Sequence, residues 1–171
     1  MKAKFRWAAL TALLASTLGF AAVPVELAID FAAETAAEWG KTKGTELKID
    51  SGVLTLNGTN WDSKAFKSVI LTPDLRYKLT GTGRGKVVVR LHVGWNRAFA
   101  RLDLSGDAFR TGSTEFMTPA GNGKYTLSIQ VNSDKGEAEV KNLVFTPVAE
   151  PAPKAAPVPG EVRIDFAAEK A

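Results

Sequence analysis

His92 is the only histidine in a chain of 171 residues that contains no cysteine. A Ser-His-Asp relay or an imidazole metal site would have to run through that one ring, and thiolate ligation is excluded. The residue lies inside KVVVRLHV (86–93), a strand-like run with no Gly-x-Ser-x-Gly nucleophile turn beside it. A single histidine on a strand is more often structural than catalytic. The glycine-rich GTGRG (81–85) has no helix after it, so it reads as a hairpin turn and not as a phosphate cradle. Most acidic residues fall at alternating strand positions or in turns, as on solvated faces, and the separation of any two carboxylates in space is not legible here. No catalytic residue is assigned.

The same stretches carry a better case for binding. In KVVVRLHV the face opposite the Val87/Val89/Leu91 stripe carries Val88, Arg90 and His92. In AFARLDLSG (98–106), Ala100, Leu102 and Leu104 form the apolar stripe and leave Phe99, Arg101 and Asp103 on the other side. In KYTLSIQV (124–131), Thr126, Ser128 and Gln130 face away from the core stripe. If these strands share a sheet, one face gathers planar polar groups, with Trp95 and Asn96 in the loop between the first two strands. Planar polar groups hydrogen-bond sugar hydroxyls in pairs, and an aromatic ring stacks on the apolar side of a pyranose. The bland alternative is a wet sheet face with cross-strand Arg–Asp pairs and Trp95 as a loop anchor. Trp61, in the connection LNGTNWDSKAF, either rims a ligand groove or covers the core edge; Trp39 plugs the end of the fold.

The elements that must position these residues are strands. ELKIDSGVLTLNG (46–58) reads as a hairpin about Asp50-Ser51-Gly52. KAFKSVILT (64–72), LRYKLTG (75–81) and EAEVKNLVF (137–145) add further strands, and the one helical candidate is short, near residues 32–39. Leu75, Tyr77 and Leu79, Val87 to Val93 in alternation, and Tyr125, Leu127, Ile129 and Val131 supply inward stripes. Many short strands with turn residues at about every ten positions predict an all-β, antiparallel two-sheet sandwich of the jelly-roll kind. A parallel α/β fold would need crossover helices, which this sequence does not offer.

The flanks have a different character. Residues 1–21 show Lys2, Lys4 and Arg6, an apolar run from Trp7 to Phe20, and Gly19-Phe20-Ala21 at a cleavage-like position. That is the plan of a secretory signal peptide, and the run is short for a membrane span of roughly 20 residues. Cleavage would remove three of 22 basic residues and none of 18 acidic ones, taking the net charge from +4 to +1. The basic balance then gives no argument for nucleic acid. Residues 148–160 form a Pro/Ala-rich linker of extended character. VPGEVRIDFAAEKA (158–171) repeats VPVELAIDFAAETA (23–36) at ten of fourteen positions. The organisation expected is a leader (1–21), a β-sandwich binding module (22–147), the linker, and the first strand of a second copy (161–171). The chain reads as a fragment of an exported tandem protein.

The segments FAAETAAEW, LTPDLRYKLTGTGRGKVVVRLHV and GKYTLSIQVNSDKGEAEVKNLVF resemble the galactose-binding-like jelly rolls of carbohydrate-binding modules. Leu71 to Gly81 matches their Pro-x-x-x-Tyr-x-Leu-x-Gly segment, and Ala138 to Pro147 their closing strand, which in that family completes a hairpin. The likeness covers residues 25–147. It implies the jelly-roll fold and a non-catalytic module that holds its parent on a polysaccharide or other glycan, with no cofactor required. Relatives often keep an acidic residue near a structural calcium in the closing strand. Here Asn142 stands there, and Asp30 with Glu34 supplies only part of the roughly six to eight oxygens calcium takes. The expected ligand face is Arg90, His92, Trp95, Arg101, Asp103 and Gln130, with Trp61 at its rim. Further domains of the same chain would be its partners, and the location would be secreted, periplasmic or at a bacterial cell surface, without a membrane span after leader cleavage. The competing readings are a purely structural spacer sandwich and the accessory domain of a polysaccharide-active hydrolase.

Overall fold

The computed structural model describes residue 24, residues 26–95 and residues 97–149. The leader, the repeated phrase at 161–171 and the linker beyond Ala149 lie outside the described residues. Among the described residues eleven strands run in the order β1 (Leu27–Asp30), β2 (Gly40–Lys41), β3 (Thr45–Asp50), β4 (Val53–Gly58), β5 (Lys64–Ile70), β6 (Arg76–Gly85), β7 (Val87–His92), β8 (Ala98–Asp103), β9 (Gly106–Met117), β10 (Lys124–Val131) and β11 (Gly136–Pro147). All pairings are antiparallel. One sheet has the order β3-β4-β11-β6-β9, with β1 also paired to β11; the other has the order β2-β5-β10-β7-β8. Among the described residues, only β3–β4 and β7–β8 are hydrogen-bonded neighbours that are also consecutive in the chain. The other connections cross from one sheet to the other, which makes the sandwich a jelly roll. No helix among the described residues is long and apolar enough to cross a membrane.

The inner faces interdigitate. Leu54, Leu56, Tyr77, Leu79, Val140, Leu143 and Phe145 of the first sheet meet Val87, Val89, Leu91, Leu102, Tyr125, Leu127, Ile129 and Val131 of the second. The polar ends of the buried tyrosines are used: the Thr72 amide donates to Tyr77 Oη at 3.2 Å, and Tyr125 Oη donates to the Pro119 carbonyl at 2.6 Å. Trp39 closes one end, as expected, 5.8 Å from Phe31. The β3–β4 turn has positive φ at Ser51 and Gly52, 51° and 76°, the backbone of a type I′ hairpin.

Several expectations are corrected. The helical candidate is a single 3-10 turn, Ala36–Glu38. GTGRG is not a hairpin turn but the second half of β6; Gly81 and Gly83 face inward, where Leu104 and Leu143 occupy the space a Cβ would need. β10 and β11 do not form a closing hairpin, because the 132–135 turn hands the chain to the opposite sheet. Val93 is exposed beyond the end of β7. Phe99 turns inward against Phe116 and Tyr125, because an irregularity after Leu91 pairs His92 with Ala98. β9, an edge strand with a single buried residue, and the two-residue β2 are additional elements.

Candidate functional site

The outer face of the second sheet is laid out in three transverse rows by strand register. The middle row runs Gly40, Phe66, Ser128, Arg90, Arg101 across all five strands. One side row carries Lys64, Gln130, Val88 and Asp103, and the other Ser68, Thr126, His92 and Ala98. The five strands make a platform roughly 20 Å wide at ordinary strand spacing. Side chains two apart on one strand share a face, so parity alone fixes Arg90 with His92, and Ser128 with Gln130.

Two of the most exposed large side chains stand at this face. Trp61 is 68% exposed and Trp95 60%. Trp61 therefore does not cover the core edge. Its backbone is held from several sides while its ring is left in solvent. Gln130 Nε2 donates to the Trp61 carbonyl at 2.7 Å, and the buried Ser63 hydroxyl accepts the Thr59 and Asn60 amides at 3.1 and 3.3 Å. Lys64 Nζ donates to Asp62 at 2.7 Å, and Thr42 Oγ1 donates to the Asp62 carbonyl at 2.8 Å. Trp95 projects from the β7–β8 loop and meets Phe66 edge to face, centroids 4.6 Å apart at 85°. Lys64 Nζ lies 5.6 Å from the Trp95 ring centroid. Phe66 can lie flat at the sheet edge because Gly40 beneath it has no Cβ; one built there would fall 2.3 Å from the ring.

Between the aromatics runs a fixed polar line. Gln130 is nine-tenths buried and uses both ends of its amide, accepting from Arg90 Nη1 at 2.8 Å while it holds Trp61. His92 Nε2 and Ser128 Oγ are 3.1 Å apart. The Ser128 hydroxyl is buried, 1% exposed for the residue, so it is closed to a substrate and this pair orients rather than attacks. Burial first and the Arg101 guanidinium second pull Arg90 below its ordinary value. Burial alone would raise Asp103, but the Ser105 amide and hydroxyl, then Arg101 and Arg110, outweigh it and hold the carboxyl below the usual range. This arrangement can present planar hydrogen-bonding groups and apolar ring faces to a flat polar ligand at little cost in side-chain ordering.

No protein-family model matches the sequence, and no curated protein matches it. Solved structures match the fold. The CBM22-2 xylan-binding domain of Xyn10C from Paenibacillus barcinonensis aligns with a TM-score of 0.55 at 12% identity, over 71% of this chain and 99% of that one. CBM1 of BiXyn10A aligns at 0.56 with 15% identity, over 70% and 96%. A CBM4 structure aligns at 0.51 with 10% identity, over 72% and 86%. The chain has the jelly-roll fold of carbohydrate-binding modules. Identities this low carry the fold and no residue roles.

Of the residues singled out from sequence, Arg90, His92, Arg101, Asp103 and Gln130 lie on one face of this jelly roll, and Trp61 and Trp95 lie in the loops bordering it. Phe66 and Lys64 belong to the same face and went unnoticed. The alternation of β5 is ambiguous, since Phe66 and Ile70 point outward while Lys67 points in. Lys67 Nζ lies 2.7 and 2.6 Å from the two Glu34 carboxylate oxygens, and Trp39 Nε1 donates to Glu34 at 2.9 Å. Glu34 is thus committed to an ammonium ion, and the Asp30, Glu34 and Asn142 set does not fit a structural calcium. Among the described residues no group of three or more His, Asp or Glu side chains is placed to hold a metal ion.

Proposed function

We propose that the chain is a non-catalytic glycan-binding module that uses the outer face of the β2-β5-β10-β7-β8 sheet as a flat platform. The observation that carries this reading is that two tryptophan rings, each more than half exposed, border one sheet face, with the Trp61 backbone hydrogen-bonded by Gln130 and the Trp95 ring set edge to face on Phe66. Exposed indoles add nothing to a core, and a spacer sandwich has no use for a loop tied down, as the Trp61 loop is, to display one. A pyranose would stack on Trp95 or Trp61 while Arg90, held by Gln130, and His92 meet its hydroxyls. The similarity of the fold to a xylan-binding domain supports a polysaccharide as the ligand class. Within that fold, the galactose-binding-like likeness of the sequence is part of the same reading.

The leader at 1–21 would export the chain to the periplasm, cell surface or medium of a bacterium, and the linker and repeated phrase would join it to further modules. Tandem copies raise a weak single-site affinity through effective concentration. N-terminal sequencing of exported protein should find a mature start near Ala22. The functional test is binding of the full chain to a panel of soluble and insoluble polysaccharides, with Trp95→Ala and Trp61→Ala alongside. Retention lost in both variants at an unchanged melting temperature is the expected result. No retention of any polysaccharide by the wild-type chain would return the reading to a structural spacer.

A further inference from the structure

The charges on the platform point to the class of glycan, an inference that rests on the proposed function above. Arg90 and Arg101 are direct cross-strand partners on β7 and β8. Like charges in that position destabilise a sheet. Among the described residues no carboxylate comes within 4 Å of Arg90, whose guanidinium donates to the neutral Gln130 amide. Asp103 is the nearby acid, one row away, and it is shared: 3.6 Å from Arg101 and 4.0 Å from Arg110. Arg110 also donates to the Asp103 carbonyl at 2.8 Å. Two guanidiniums therefore share one carboxylate, and Arg90 stands beside Arg101 without one. On the other sheet, by contrast, Arg84 is paired with Glu139 and Arg76 with Glu115. The excess of positive charge lies in the same row as Phe66, two strand spacings away at Arg90 and three at Arg101, roughly 10 to 14 Å, within reach of an oligosaccharide that also meets the aromatic corner.

A neutral sugar would leave the two opposed cations as they are. An anionic group between them would turn the repulsion into two charge-assisted, planar hydrogen-bond sets. We infer that the platform takes an acidic glycan, with a uronate carboxylate or a sulfate ester seated between Arg90 and Arg101 and a neighbouring sugar ring of the same polymer on the Trp95–Phe66 corner.

The test is calorimetric or gel-retardation binding of the full chain to polygalacturonate, to the same polymer after methyl esterification, to a sulfated galactan, and to neutral xylan and galactan. Arg90→Gln, Arg101→Gln and Trp95→Ala are compared with Lys78→Gln, which removes a charge from the opposite sheet. The expected result is tighter binding of an acidic polymer than of any neutral one. That binding should weaken about tenfold or more in Arg90→Gln and Arg101→Gln. Lys78→Gln should leave it unchanged, and all variants should keep cooperative melting. Loss of binding on esterification would assign the group as a carboxylate; preference for the sulfated galactan would assign a sulfate. Trp95-dependent binding that ignores esterification, sulfation and Arg90→Gln would overturn the acidic class and leave glycan binding intact. Failure to bind any polymer, acidic or neutral, would overturn both.

Discussion

Gly83→Ala probes the path of β6 through the sandwich. A Cβ at Gly83 would sit 2.9 Å from the Glu139 carbonyl oxygen, 3.1 Å from Leu104 Cβ and 3.1 Å from Val87 Cγ1. The carbonyl belongs to β11, which is registered against β6, so no rotamer change relieves the contact. Overpacking of this kind costs about 1–3 kcal/mol. Replacing a glycine whose backbone angles alanine can adopt returns about 0.4–1 kcal/mol through the unfolded chain. The net expectation is a loss of about 1–2 kcal/mol, or roughly 4–8 °C in melting temperature for a fold of this size. Gly106→Ala is the matched control, because its nearest neighbour would be 3.6 Å away, an ordinary contact. It should be neutral or slightly stabilising. Urea unfolding followed by tryptophan fluorescence, with thermal melts by circular dichroism, reads both. A Gly83→Ala variant as stable as the Gly106→Ala control would show that residue 83 faces open space, and the packing argument for β6 would fail.

Three other outcomes follow from the same structure. Leu79→Ala, fully buried between the sheets, should lose about 2–5 kcal/mol in urea unfolding. Gln130→Ala should lose about 1–3 kcal/mol, since it strands the Trp61 carbonyl and the Arg90 guanidinium together, and it should weaken polysaccharide retention because it frees the backbone that displays Trp61. Asp103 is held below its ordinary value, so its contribution is present above the normal carboxylate range and lost as pH falls through the lowered value. Asp103→Asn should therefore flatten the acid limb of a melting-temperature profile below about pH 4, and leave its shape near neutrality unchanged.

What could be read in the sequence, and what could not, divides along a physical line. Alternation fixes which residues share a strand face, and so Arg90, His92, Arg101, Asp103 and Gln130 were legible as one set once their strands were found. The Ser51-Gly52 turn was legible because only a few residue types adopt its backbone. Which sheet a strand joins is decided by packing between distant segments. That is why β10 and β11, neighbours in the chain, read as a hairpin yet separate. β9 was missed because an edge strand buries little of itself. Phe66 was missed because an apolar residue facing outward looks the same, in sequence, as one facing in. Phe99 was placed on the wrong face because it is the extra residue of an irregularity in β8, where Leu91 pairs with Ala100 and His92 with Ala98.

The pairing of β1 with β11 has a mechanical consequence. Leu27 lies opposite Phe145 and Asp30 opposite Asn142, and the Thr146 hydroxyl donates to Glu26 at 3.0 Å, so the chain enters and leaves the sandwich side by side at one end. Tension applied through both ends would not shear this pair along its length. It would open it like a zipper, loading one rung at a time from Glu26 inward. The platform strands β5, β10, β7 and β8 are in the other sheet and do not share that load. In a chain stretched between its two ends, the entry strand would peel first and lengthen the tether. The opposite sheet would keep its shape while the molecule gives.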